Sequence, residues 1–199
     1  TLRELVLCAK KRGLDGVALT DHDTVLGARR LSKQKHILVI PGVEIETLNG
    51  HLLALNVLEH VKPKQDITET AERIRQLGGI AVIAHPAVVI KTGLGNKIAS
   101  VSNLDAVEVI NSAAFPFFLT TYQARRLAER LKLPETAGSD AHHPNEIGKA
   151  FTLIDADLNR DDVIDAIRKG RTTPFGEPIS WMLRLKRGAL GIQRILQGH

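Results

Sequence analysis

Residues 16–24, Gly16-Val17-Ala18-Leu19-Thr20-Asp21-His22-Asp23-Thr24, run from an apolar stretch straight into a polar cluster. A short apolar run of this kind reads as a strand buried on both faces, with the polar side chains standing just past its carboxyl end. The same unit recurs along the chain. Residues 37–43 end in Glu44, 79–84 end in His85, 106–110 carry Glu108 and end at Asn111, and 136–139 end in Asp140. Helical periodicity fills the spaces between them, through Ile67, Ala71, Ile74 and Leu77 after an Asp66-x-x-Glu69 cap, and through Ala124, Leu127, Ala128 and Leu131. Strand alternating with helix predicts an α/β fold with a parallel sheet. Polar groups gathered at successive strand ends predict a TIM-like barrel, with an open doubly wound sheet second because no glycine-rich phosphate loop is present.

Working outward, Thr1 and Glu4 form a capping-box pattern ahead of Leu2, Leu5, Val6 and Ala9, and Gly13 supplies a stop. Asn49-Gly50 between two strand-like runs is a hairpin signal that returns His51 towards Glu44. Residues 151–154 read as a further strand, Asn159 as the cap of a helix through Val163, Ile164 and Ile167, and Gly170 as its end. Residues 178–198 carry a helical pattern interrupted near Gly188. The expected organisation is a single domain over 1–199, with 176–199 a C-terminal helical extension packing on the barrel.

The chain has 199 residues, 43% hydrophobic, enough for one sizeable core. A quarter of the residues are charged, no run approaches the ~18 apolar residues of a membrane span, and no signal-like stretch opens the chain. A soluble, cytoplasmic protein with no membrane partner is therefore expected. The one cysteine, Cys8, can form no internal disulfide. The net charge of +5 gathers in residues 3–35 and around Arg184, Lys186, Arg187 and Arg194. It suits a polyanionic substrate and equally an ordinary solvated surface.

His22, His51, His85 and His142 stand with Glu44 and Asp140 just after apolar runs, so the predicted fold brings six polar groups to one mouth. Converging imidazoles and carboxylates are costly to desolvate unless something satisfies them, and a divalent metal does so. With no cysteine among them, mixed nitrogen and oxygen ligation suits zinc, manganese or iron(II) better than magnesium. Six ligands exceed the needs of one ion. A multinuclear site with a bridging carboxylate such as Glu44 follows, which is the usual arrangement for phosphoester hydrolysis.

Five segments together resemble the ordered motifs of the polymerase and histidinol phosphatase (PHP) superfamily: Leu19-Thr20-Asp21-His22-Asp23-Thr24, Gly42-Val43-Glu44, Gly50-His51, Ala84-His85-Pro86 and Gly138-Ser139-Asp140-Ala141-His142. The match covers residues 14–148 and is nearest to the stand-alone metal-dependent phosphoesterases. The resemblance implies a distorted (β/α)7 TIM-like barrel with up to three metals. Glu44, His51 and His85 would hold one ion, Glu44 and Asp140 contribute to a second, and His22 with His142 to a third. Glu44 and Asp21 are the catalytic candidates. Asp21 and Asp23 either orient an imidazole or are solvated strand-end carboxylates. Glu108 and Asn111 either touch substrate or support the metal shell. Arg29, Lys91, Lys97 and Lys149 are possible phosphate contacts, none of them assigned.

The implied activity is hydrolysis of phosphate esters by metal-bound hydroxide, on nucleotides or short nucleic acids. The alternatives are a small-molecule phosphatase of histidinol-phosphate type and a non-catalytic PHP-like scaffold or RNA-binding subunit. PHP domains open with a strand bearing a D-x-H-x-H motif. The present sequence has none and starts at a helix cap, so a truncated or partly ordered form is expected, with only the Glu44, His51 and His85 ligand set complete and an unpaired edge beside Val17 to Thr20.

Overall fold

Each apolar run of the sequence becomes a strand. The structure is a computed structural model that describes residues 1–33, 36–86 and 101–185. The strands are β1 (Gly16–Leu19), β2 (Leu38–Thr47), β3 (Gly50–Leu55), β4 (Ile80–Ile83), β5 (Ala106–Asn111), β6 (Glu135–Gly138), β7 (Ala150–Ile154) and β8 (Thr172–Gly176). The helices are α1 (Leu2–Lys11), α2 (Leu26–Leu31), α3 (Ile67–Gln76), α4 (Phe117–Leu131) and α5 (Arg160–Arg168).

Strands β1 to β6 form one sheet in chain order, curled into a half-barrel, and β7 with β8 forms a two-stranded sheet beside it. The fold is thus mixed α/β. Its strand pattern differs from that of a regular seven-fold parallel barrel in two ways. Eight strands are present among the described residues, and β3 runs antiparallel to both β2 and β4, while β1/β2, β4/β5 and β5/β6 are parallel. The cause is the short β2–β3 connection, since a tight hairpin can only join antiparallel strands. Strand β1 pairs with β2 alone among the described residues.

The hairpin forms, but one residue away from the Asn49-Gly50 step. Thr47 pairs with Gly50, leaving Leu48 and Asn49 as the loop. Gly50 opens β3 at φ +122°, a conformation that favours glycine. Asn49 is drawn inward, where its Oδ1 accepts from the Ile67 N–H at 3.2 Å and satisfies a free donor at the start of α3.

The caps read in the sequence are present. The Glu4 N–H donates to Thr1 Oγ1, and the Thr1 amine reaches the Glu4 carboxylate at 2.7 Å. Asp66 and Asn159 cap α3 and α5, and Gly13 and Gly170 sit at positive φ beyond α1 and α5. Between the sheet and α3 and α4 lies the largest core cluster, including Ile45, Leu52, Ile74, Ile83, Val107, Ala124 and Ala128. A second cluster packs Ile164 and Ile167 of α5 against Ile80 and Val82 on the sheet's other side. All four residues of β4 are buried, as a strand covered on both faces requires.

Strand β8 carries no alternating pattern and was not expected from the sequence. Thr172 Oγ1 donates to the Glu135 carbonyl, at the start of β6. Gly176 pairs with Ala150, whose carbonyl accepts from the Ser139 hydroxyl just past the end of β6. Strand β8 therefore runs in the direction of β6 and delivers the following segment to the carboxyl ends of β5 and β6. That segment corrects the helical reading in part. Residues 177–180 are not helical, because the Ile179 N–H is bonded to the Ser112 carbonyl, whereas 181–185 are helical. The remainder of the 176–199 extension, 186–199, lies outside the described residues. No helix among the described residues is long and apolar enough to cross a membrane.

Candidate metal centre

Glu44 lies in β2 and is 6% exposed. Its partner across the hairpin is Leu53, so His51, two residues from Leu53 on β3, is its diagonal neighbour on the same face. His51 Nδ1 stands 2.7 Å from Glu44 Oε1. His85 follows β4 directly, and because the Ala84 N–H bonds the His51 carbonyl, His85 Nε2 reaches the same carboxylate oxygen at 3.0 Å. The three residues offer ligand atoms within 4.8 Å of one another.

The loop after β1 continues the ladder for one step past the strand. The Glu44 N–H donates to the Asp21 carbonyl and the Asp23 N–H to the Glu44 carbonyl, which sets His22 Nε2 3.8 Å from Glu44 Oε2. The rings of His22 and His142 are 6.3 Å apart between centroids. His142 Nδ1 lies 3.4 Å from Asp140 Oδ1. The six sequence-predicted ligands thus form a continuous chain of contacts, tight at Glu44, His51 and His85 and looser through His22, His142 and Asp140.

Glu108 and Asn111 connect the ends of three strands. Glu108 Oε2 accepts from the His85 N–H at 2.9 Å and from Asn111 Nδ2 at 3.0 Å, and Asn111 Nδ2 also reaches Asp140 Oδ2 at 3.4 Å. Residues three apart in a regular strand face opposite ways. Here a register shift between Glu108 and Ile110 turns both side chains to one place, a common use of a bulge near a site.

The other candidates have different neighbours. The Asp21 carboxylate lies so close to Gly27 of α2 that a methyl group there would overlap it. Among the described residues, its carboxylate makes no hydrogen bond to a histidine ring. Asp23 Oδ1 accepts from the Glu46 N–H at 3.2 Å and fixes its loop to β2. Arg29 Nε is engaged by the Leu58 carbonyl, and Lys149 pairs with Glu177. Lys91 and Lys97 lie outside the described residues. Glu146, which has no place among the sequence candidates, is fully buried, and its Oε2 accepts from the N–H groups of both His142 and His143 at 2.8 and 3.1 Å. Its sequence signal was available: Pro144 with Glu146 at the third helical position after His143 is a short capping box.

Burial opposes a charge on Glu44, but hydrogen bonds from His51 and His85, with the charges of His85 and His22, outweigh it and hold the carboxyl well below its ordinary range. Burial likewise disfavours a charged His85, yet its bond to Glu44 and the nearby Glu108, Glu44 and Asp140 raise it to about 9. Glu108 is pushed up to about 7, chiefly by burial. Three carboxylates thus favour positive charge at one point, where two imidazoles also converge. A divalent cation fits this donor set of nitrogen and oxygen.

The family described as PHP-associated matches residues 121–172. The fold has TM-score 0.68 to a two-domain protein from Bacteroides vulgatus containing a predicted PHP-like metal-dependent phosphoesterase, at 18% identity over 87% of this chain and 60% of that one. The match over residues 121–172 and the fold together support membership of the PHP superfamily. The fold also resembles that of the lesion-specific endonuclease EndoQ from Pyrococcus furiosus, with TM-score 0.61 and 18% identity over 86% of this chain and 52% of that one. The uncharacterized protein MJ1587 of Methanocaldococcus jannaschii is 36% identical over 113 residues, which are 55% of this chain and 66% of the relative. The chain therefore spans just under two thirds of the length of that relative.

Proposed function

We propose that this chain carries the phosphoesterase centre of a PHP hydrolase that cleaves phosphate esters of nucleotides or short nucleic acids. The observation that carries the reading is the buried Glu44 carboxylate, with His51 and His85 both on one of its oxygens. Glu44, His51 and His85 would hold one divalent ion, zinc, manganese or iron(II), while Asp140, His22 and His142 extend the site for further ions. Bound there, such an ion supplies positive charge that makes water more acidic and offsets charge developing on phosphoryl oxygens.

The protein's own groups then have distinct tasks. Glu44 fixes both imidazoles and keeps its negative charge across the neutral range. Glu108 and Asn111 hold the His85 and Asp140 loops in register with each other. Glu146 does the same for the backbone at His142 and His143.

The test is hydrolysis of an aryl phosphate and of nucleotides by wild type and Glu44→Gln, with metal content measured on the same samples. The variant is expected to keep its fold, to lose metal and to turn over slower by several orders of magnitude. Near wild-type turnover would reject the proposal.

A further inference from the structure

We propose that the N-terminal half of α4, with the turn at residues 181–185 laid beside it, is the interface through which two copies of this chain form a symmetric dimer. The surface shares no residue with the candidate metal centre, so the proposal is independent of the phosphoesterase reading.

The chain's one Trp, one Tyr and one Met are Trp181, Tyr122 and Met182, and all three lie here with Phe115 and Phe118. On α4, Phe118 and Tyr122 are one helical turn apart with Leu119 beside them, and the three are 80%, 62% and 51% exposed. Phe115, Trp181, Met182 and Leu185 are each more than half exposed as well. Two contacts join the segments into one surface. Trp181 meets Phe115 edge to face, with centroids 5.4 Å apart, and the Arg184 guanidinium donates to the Ala113 and Ala114 carbonyls at 2.9 Å each.

Area and charge select a second copy as the occupant. An aromatic side chain spans about 150–250 Å², so Phe115, Phe118, Tyr122 and Trp181 at their exposures leave roughly 500 Å² uncovered. With Leu119, Met182 and Leu185 the patch reaches about 800 Å², above the roughly 300–600 Å² of the largest apolar patch on an ordinary monomer and equal to one partner's share of a standard interface. In a two-fold contact each patch faces its own copy, so a charge near the axis would meet its like. Residues 113–124 contain no charged residue, in a chain where a quarter are charged. Depletion of charge together with aromatic residues and Met is the composition of an interface core.

Sedimentation velocity on the full chain over the micromolar range is expected to show a monomer–dimer equilibrium. Phe118→Asp and, separately, Tyr122→Asp, with melting temperatures checked, should each weaken it by at least about 30-fold, since aromatic anchors carry most of the binding energy of an interface and each substitution enters this one twice. Leu153→Asp on β7, an exposed apolar residue outside the patch, should leave the equilibrium unchanged. Trp181 is the one tryptophan, so acrylamide quenching of its fluorescence should fall as the dimer forms. A chain that stays monomeric throughout overturns the proposal, whether Trp181 is then shielded by the chain itself or open to a different partner. So does a dimer that Phe118→Asp and Tyr122→Asp both leave intact, which would place the contact elsewhere on the molecule.

Discussion

His85 and Asp140 sit at φ +25° and +48°, and Asp23 at +52°, conformations that cost a residue with a side chain about 1–3 kcal/mol when nothing compensates. Compensation is local. The His85 N–H is taken by Glu108 and the Asp140 carboxylate is met by Asn111, so the backbone that aims each ligand is held by a neighbouring strand. This arrangement leaves no room beside Glu108. A methyl group at Gly138 would stand 2.4 Å from Glu108 Oε1, forcing the carboxylate away from His85 and Asn111. Gly138→Ala is expected to weaken metal binding by about 10- to 100-fold, as changes behind a metal ligand do. Competition with a chromogenic chelator measures it, and unchanged affinity would show that Glu108 does not hold the His85 loop.

Two elements owe their form to contacts that periodicity does not encode. The bulge in β5 brings Glu108 and Asn111 together, although their spacing alone would part them. The β2–β3 hairpin is closed by a loop whose asparagine also starts a helix 18 residues further on. Asn49→Ala removes the acceptor for the buried Ile67 N–H, and the expected loss is about 1–3 kcal/mol. Thermal or urea unfolding would reveal it. A loss below about 0.5 kcal/mol would mean that the hairpin and α3 are not coupled through this side chain.

Across the whole molecule, the charged groups of the centre tie stability to pH. Glu44 is depressed, so its contribution is present above its ordinary value of 4.5 and disappears as pH falls through its lowered folded value. His85 is raised from 6.5 to about 9, so its contribution is complete below 6.5 and is lost as pH rises through 9. Glu108, raised from 4.5 to about 7, adds stability below 4.5 that fades as pH passes 7. The metal-free chain should therefore lose melting temperature between pH 6.5 and 9. Metal needs the neutral imidazole, so the rise in melting temperature on adding zinc or manganese should be larger at pH 9 than at pH 6. Scanning calorimetry with and without metal tests this, and a stabilisation independent of pH would separate the ion from His85.

The sequence by itself determined the strand ends. Apolar runs closing in His22, Glu44, His85 and Asp140 could only place polar groups at the carboxyl ends of buried strands, because burial on both faces forbids such groups earlier in the run. The caps at Thr1, Asp66 and Asn159 were equally plain, since they depend on neighbours within one turn. Tertiary structure alone decided which groups actually meet. Glu146 under His142, Asp21 against Gly27, the Arg184 guanidinium on the Ala113 and Ala114 carbonyls and the placement of β8 all depend on separate segments packed together. Periodicity records the direction of each side chain from its own strand or helix, and carries no information about what another segment places opposite it.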